Sequence, residues 1–304
     1  MLWNLLLTAV ALVGHGALMI LAINMLHGFG IRGHWPNRIT YTVTPILAIA
    51  GPALAGWYLA GGGTDWPWPI WLYASSCVAI AGIGLPAVTL ARWLRRPPEQ
   101  VSGRAAEIDL AAEHGVENLA GRGLRAHLIR QKWNDSLRLK AQEWRVELPG
   151  LPEALDGLSL VHLTDLHMAP WYQRRFFEVI LEQAERWESD LVVYTGDLIE
   201  HNEALEWVAP LMSRVRGRLG TLAILGNHDR FYDVDGLRRE LARADVTDLD
   251  GRWTTVMVGA HRVAVGGTSA PWGPPLPCRP LPEADARIVL SHSPDMFVPL
   301  SRHG

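Results

Sequence analysis

Leu158-Ser159-Leu160-Val161-His162-Leu163-Thr164-Asp165-Leu166-His167 is a short apolar run that ends in Asp-x-His. A run of this length closed by polar residues reads as a buried strand. The same arrangement recurs downstream. Leu191-Val192-Val193-Tyr194-Thr195 leads into Gly196-Asp197, and Thr221-Leu222-Ala223-Ile224-Leu225 leads into Gly226-Asn227-His228-Asp229. Finally, Ala286-Arg287-Ile288-Val289-Leu290 leads into Ser291-His292. Helical periodicity separates these runs over 176–187, 204–215 and 234–244, and 253–258 with 262–266 reads as a hairpin around Gly259-Ala260. Strands alternating with helices predict an α/β sheet covered by helices.

In such a sheet, ligands gather beyond the carboxyl ends of the strands. All four runs end there in side chains able to bind a metal. Asp165 and His167, two apart, can enter one site from an extended turn. Asp197 and Asn227 each follow a glycine that lets the backbone turn sharply. Carboxylate, imidazole and amide oxygen suit Mn, Fe, Zn or Mg, whereas a closed structural zinc site would use thiolates. The two cysteines, Cys77 and Cys278, indicate neither a zinc cluster nor a disulfide framework. The expected metal ligands are Asp165, His167, Asp197, Asn227 and His292, with Asp197 as a bridge between two divalent ions. His228 is the candidate general acid. His162 reads as a satisfied sheet histidine. His201 and Arg230 read equally as phosphate contacts or surface residues, and the proline-rich loop 271–282 with Trp272 reads as a surface loop, with a border of the substrate entry as the alternative.

The first third of the chain is a different material. Residues 1–91 carry only three charges, Arg32, Arg38 and Asp65. Apolar runs at 2–26, 41–61 and 69–91 are each about long enough to span a bilayer as a helix. They predict a transmembrane region over 1–96. Arg32 and Arg38 flank one end of the first two spans, and Arg92, Arg95 and Arg96 follow the third; the connection 62–68 has no basic residue. The positive-inside rule then puts the C-terminal part in the cytoplasm, with Trp66, Trp68 and Trp71 in the outer interfacial belt. His15 and Asn24 inside the first span read as inter-helix hydrogen-bonding groups.

Residues 97–136 are charged and glycine-containing and read as a linker, with a short helix over 124–133. Its Arg122, Arg125, Arg130 and Lys132 read as anionic-lipid contacts or as an ordinary solvated face. From 137 the pattern alternates: Leu137, Leu139 and Ala141, then Trp144, Val146 and Leu148 after a one-residue change of phase. This opens the soluble domain, 137–304, with one or two strands. A net charge of −3 over 304 residues gives no case for a nucleic-acid partner.

Residues 144–304 resemble the calcineurin-like metallophosphoesterase superfamily. They are most similar to its bacterial membrane-associated branch, where a lead-in like Leu148-Pro149-Gly150-Leu151-Pro152 precedes the first Asp-x-His. The resemblance implies a two-sheet α/β sandwich with a dimetal site at the strand ends. Asp165 and His167 would hold the first metal, Asp197 would bridge, Asn227 and His292 would hold the second, and His228 would protonate the leaving group. It implies a hydrolase for a phosphomonoester, phosphodiester or pyrophosphate bond, on a phosphate-ester substrate that a membrane anchor makes attractive as a lipid-linked one, such as UDP-2,3-diacylglucosamine. Gly196-Asp197-Leu198-Ile199-Glu200 departs from the Gly-Asp-x-x-Asp-Arg-Gly of the superfamily's protein phosphatases. The family's last motif, Gly-His-x-His, is not reached before Arg302-His303-Gly304. The resemblance thus implies an incomplete, C-terminally truncated domain lacking two metal-ligand histidines. The alternative expectation is a catalytically impaired membrane scaffold or ligand-binding module.

Overall fold

The computed structural model describes residues 2–28, 35–61, 68–95 and 101–302. Arg32, Arg96, the connection 62–67 and residues 303–304 lie outside the described residues. The chain divides into two compact units, Met1–Pro98 and Glu99–Gly304.

The first unit is helical: α1 (Leu2–Gly28), α2 (Trp35–Gly61), α3 (Trp68–Ala79), a π-helical turn (Ile80–Gly84) and α4 (Leu85–Leu94). Pro86 has no N–H to return to the preceding turn, and the wider π turn just before it absorbs the mismatch. Two helical stretches are long and apolar enough to cross a membrane, Leu5–Met25 and Trp68–Leu94. Within α2, which contains Pro45 and Pro52, the described apolar stretch is shorter, Thr42–Ala53. His15 ties the helices together. Its Nδ1 lies 2.5 Å from the Tyr73 hydroxyl and its Nε2 lies 3.1 Å from the Leu47 carbonyl oxygen. Gly14 lets α1 close directly on the backbone of Cys77.

The second unit begins earlier than the sequence suggests. β1 (Val101–Asp109) pairs antiparallel with β2 (Arg138–Val146) along its whole length. Between them run α5 (Leu110–His114), α6 (Val116–Leu119) and α7 (Leu124–Ile129). The expected linker over 97–136 is therefore corrected: from Val101 onward it is folded. Leu110, Leu119, Ala120 and Ile129 are buried in the domain core, and Arg130 binds Glu117 and the carbonyls of Ala120, Gly121 and Ala126. This excursion packs on the segment after His167, through hydrogen bonds from Gly121 N to Trp171 O, Arg122 N to Pro170 O and Gln173 N to Leu119 O.

The central sheet is parallel, in the order β3 (Leu160–Leu163), β4 (Leu191–Thr195), β5 (Gly220–Ile224), β6 (Thr247–Asp248). A second sheet holds β7 (Arg252–Val258), β8 (His261–Thr268) and β9 (Ala286–Ser291). Alternation along the strands divides the core. Val192, Tyr194 and Ala223 face α8 (Arg174–Glu185), α9 (Leu205–Met212) and α10 (Val234–Arg243). Leu191, Val193, Leu222 and Ile224 face Val263, Val265 and Leu290 of the second sheet. The result is helices, sheet, sheet: the expected two-sheet α/β sandwich. α8 shows why these segments are helical. Phe176, Phe177 and Leu181 are buried, while Arg175 on the outer side donates to Glu182 at 2.7 Å. The chain closes with α11 (Phe297–Ser301).

Candidate metal centre

Every motif expected at a strand end is found at one. Asp165 and His167 follow β3, Asp197 follows β4, Asn227 and His228 follow β5, and His292 follows β9. Three of these residues hold left-handed backbones without being glycine: Asp165 (φ 53°), His167 (φ 44°) and Asp197 (φ 50°). Such conformations cost free energy, and their clustering is characteristic of functional sites. The loops that carry them brace each other, with Asp165 N donating to Gly196 O (3.1 Å) and His167 N to Asp197 O (2.9 Å). A Cβ on Gly196 would stand 2.6 Å from Gly226 N and 2.8 Å from His292 Nδ1. Only glycine permits this approach.

The six side chains converge. Asp165, Asp197 and His292 form one group that could hold a metal; His167, Asp197 and His228 form another, and in each the ligand atoms lie within 4.8 Å of one another. Asp197, almost fully buried, belongs to both. Its Oδ1 accepts the His228 backbone N–H at 2.8 Å, and its Oδ2 lies 3.6 Å from His167 Nε2. Asn227 joins through its Oδ1, 3.0 Å from His292 Nε2.

Hydrogen bonding orients the imidazoles. His292 Nδ1 is 2.8 Å from the Thr195 carbonyl, which can only accept, so Nδ1 carries the proton. The lone pair of Nε2 then faces Asn227 Oδ1 and, at 3.5 Å, Asp197 Oδ1. On a neutral His292 three acceptor atoms turn on one point, an arrangement that a cation, or a second proton on Nε2, resolves. His167 and His228 present Nδ1 to the same oxygen of Glu200, at 2.9 and 2.5 Å. His167 Nε2 then faces Asp165 Oδ1 at 3.7 Å and Asp197 Oδ2 at 3.6 Å.

Electrostatics point the same way. Asp165, Asp197 and Glu200 surround three imidazoles in a half-buried site, so the site attracts positive charge. The carboxylates of Asp165 and Glu200, accepting from the His167 ring, raise its pKa to about 10. The Glu200 hydrogen bond likewise raises that of His228. Burial works against an ionised Glu200, yet the two imidazoles outweigh it and bring its pKa to about 2. At His292 burial opposes the proton, and Asp197 overrides it, so the pKa rises.

Some functional residues were not singled out by their sequence. Glu200 orients two imidazoles, and its only signal was its place five residues into the Gly196-Asp197 motif. Asp229, fully buried, accepts from Leu198 N (2.8 Å), Ile199 N (3.0 Å) and Gly226 N (2.8 Å), locking two loops of the site together. Trp272, by contrast, was named in the sequence, and the alternative reading of its loop fits: its ring lies 5.9 Å from that of His292, at the border of the site. Other candidates fall outside. His162 binds the Thr195 hydroxyl at 2.7 Å, as a sheet histidine should. Arg230 serves Asp250 (2.6 Å) and Ser269 (2.5 Å), and His201 accepts from Glu203 N.

Glu200→Gln gives a direct test of this electrostatic arrangement. An amide cannot sustain the raised pKa of His228, whose proton would be lost at lower pH. The basic limb of the pH–kcat profile is expected to move to lower pH, with kcat at neutral pH reduced about tenfold or more. An unmoved limb would show that Glu200 does not control that proton.

Residues 158–294 match the calcineurin-like phosphoesterase family. A transmembrane protein with metallophosphoesterase domain from Danio rerio is 37% identical over 95 residues, covering 30% of this chain and 22% of that protein. An uncharacterized metallophosphoesterase from Aquifex aeolicus is 27% identical over 114 residues, covering 37% and 43%. A UDP-2,3-diacylglucosamine pyrophosphatase from Chlamydia muridarum is 32% identical over 95 residues, covering 31% and 28%. The chain thus spans less than half the length of these curated relatives.

Proposed function

This chain belongs to the calcineurin-like phosphoesterase superfamily, and we propose that it is a membrane-anchored, metal-dependent phosphoesterase whose site uses two divalent ions. The observation that carries this reading is the pair of ligand groups sharing Asp197. As grouped in the structure, Asp165, Asp197 and His292, with Asn227 beside His292, would hold one ion, and His167, Asp197 and His228 the other; the resemblance instead pairs Asp165 with His167 and Asn227 with His292. When bound, two such ions would supply Lewis-acid stabilisation of the phosphoryl group and lower the pKa of an attacking water. The protein's own part is orientation. Thr195 O and Glu200 fix the imidazole tautomers, and Asp197 holds the His228 backbone in place. His228, its pKa raised by Glu200, delivers the proton to the leaving oxygen. Its place in the second ligand group, with 4.8 Å between its ring and that of His167, makes metal binding the competing role for its Nε2, which carries either the proton or the ion.

The substrate we propose is a phosphomonoester, phosphodiester or pyrophosphate on a lipid-linked molecule, UDP-2,3-diacylglucosamine being the concrete candidate. Support comes from the pyrophosphatase relative and from the two apolar helices. We further propose three crossings of the bacterial inner membrane, with the phosphoesterase domain in the cytoplasm, as the distribution of basic residues suggests. A reporter fused after Gly304 that is active only outside the cell would overturn that orientation.

The test of activity is hydrolysis of bis-p-nitrophenyl phosphate by the purified full chain. Rates are expected to rise with added manganese and to vanish with a chelator. The competing reading, a membrane scaffold without catalysis, is favoured if the chain retains no metal and hydrolyses nothing.

A further inference from the structure

The β1–β2 ribbon changes polarity along its length. Pairing is unbroken from Val101↔Val146 to Asp109↔Arg138, with no bulge. The one-residue change of phase between Ala141 and Trp144 therefore moves the apolar residues to the opposite face of the ribbon. Near the domain, one face carries Ile108 and Leu139, which pack on the core. Along that same face, toward the tip, stand Arg104, Glu143 and Arg145. The other face does the reverse. It is charged near the domain, with Glu107 opposite Lys140, and apolar at the tip, where Gly103 pairs with Trp144 and Val101 with Val146. Nothing among the described residues covers this tip: Trp144 is 56% exposed, Val146 55%, and Leu148 just beyond it 59%. Gly103 leaves the Trp144 ring room to lie across the ribbon, since a Cβ there would meet the ring at 2.5 Å.

We infer that this apolar tip docks at the lipid headgroup boundary of the membrane that holds the N-terminal helices. The inference rests on the proposed membrane anchoring. The chain itself indicates the occupant. The apolar stretch Trp68–Leu94 ends on an exposed tryptophan, Trp93, a residue type that favours the membrane–water interface. Only residues 95–100 separate Leu94 from Val101, and the seven steps between those two residues can span about 25 Å at most. The chain therefore tethers Val101, at the tip, within that reach of the end of the apolar stretch. The tip presents a tryptophan and two aliphatic side chains backed by Arg104 and Arg145, a composition suited to an interface with one apolar and one wet side.

The experiment uses the full chain in nanodiscs of phosphatidylethanolamine and phosphatidylglycerol, with Cys77 and Cys278 replaced by alanine. Nitroxide labels are placed by Trp144→Cys, Val146→Cys, Arg145→Cys on the opposite face, and Leu21→Cys in α1. Collision with oxygen reports lipid; collision with a water-soluble nickel complex reports solvent. The oxygen-to-nickel ratio at 144 and 146 is expected to exceed that at 145 several-fold, with 21 reading lipid. If 21 reads lipid while 144 and 146 match 145, docking is overturned and the anchor stands. If 21 reads water, the anchor fails and docking falls with it. Labels at 144 and 146 shielded from both reagents would reveal a protein contact, such as a second copy, and overturn the inference.

Discussion

Asp197→Asn is expected to reduce manganese-dependent phosphodiester hydrolysis by about a thousandfold or more, which corresponds to about 4 kcal/mol of lost transition-state stabilisation. The expectation follows from Asp197 belonging to both ligand groups. One side chain serves each half of the site, so its loss cannot be confined to one. An asparagine has nearly the same shape but fails in two ways. It removes a negative charge from a pocket where this side chain is only 5% exposed. It also keeps just one acceptor oxygen. If that oxygen still takes the His228 N–H, the amide nitrogen turns toward His167 Nε2, where a lone pair for a cation is needed. If the amide is reversed, two N–H donors face each other at His228. Asp165→Asn is the contrast, because Asp165 belongs to one group only. Metal analysis of the purified variants should show occupancy falling throughout the site for Asp197→Asn and falling less for Asp165→Asn. Equal retention of metal and activity in the two variants would sink the shared-ligand reading.

The two variants also divide what is legible in a sequence from what is not. Asp165, Asp197, Asn227 and His292 could be read because each ends an apolar run, and a strand followed by a sharp turn fixes where such a residue goes. Direction along the strand was enough; no knowledge of packing was required. The region 101–137 was not legible for the opposite reason. Its buried residues, Leu110, Leu119, Ala120, Ala126, Ile129 and Leu137, are few and unevenly spaced, only Ala126 and Ile129 sharing a helical interval, and glycines and charges separate them. Only the pairing of β1 with a strand some thirty residues later turns that segment into structure. The ribbon shows an intermediate case. Its change of phase was visible in the sequence, but a bulge and a change of face give the same pattern, and the register alone decides between them. Glu200 and Asp229 were hidden in another way. Their effects depend on which hydrogens surround a carboxylate, and that is a property of the assembled loops.

Asp229 makes this concrete, and its replacement carries the second large effect expected here. Burial pushes the Asp229 pKa up to about 6, so at neutral pH its three N–H donors hold an ionised carboxylate inside the protein against that cost. Oδ1 takes two of them, from Leu198 and Ile199 beyond β4; Oδ2 takes the third, from Gly226 beyond β5. Asp229→Asn preserves the volume but leaves a single acceptor. With Oδ1 kept as oxygen, the new NH2 faces the Gly226 N–H; with the amide reversed, two backbone donors lose their acceptor. Either way buried donors are left unsatisfied, at about 3 kcal/mol. For a unit of this size that lowers the thermal midpoint by about 6–12 °C. The same loops hold Asp197 and Asn227, and Gly226 is in contact with Asp197. Metal affinity should therefore fall together with stability, although Asp229 is in neither ligand group. An unchanged midpoint in detergent with full metal retention would show that the three bonds contribute nothing, and the two loops would then be held by the His228 N–H bond to Asp197 and the glycine contact.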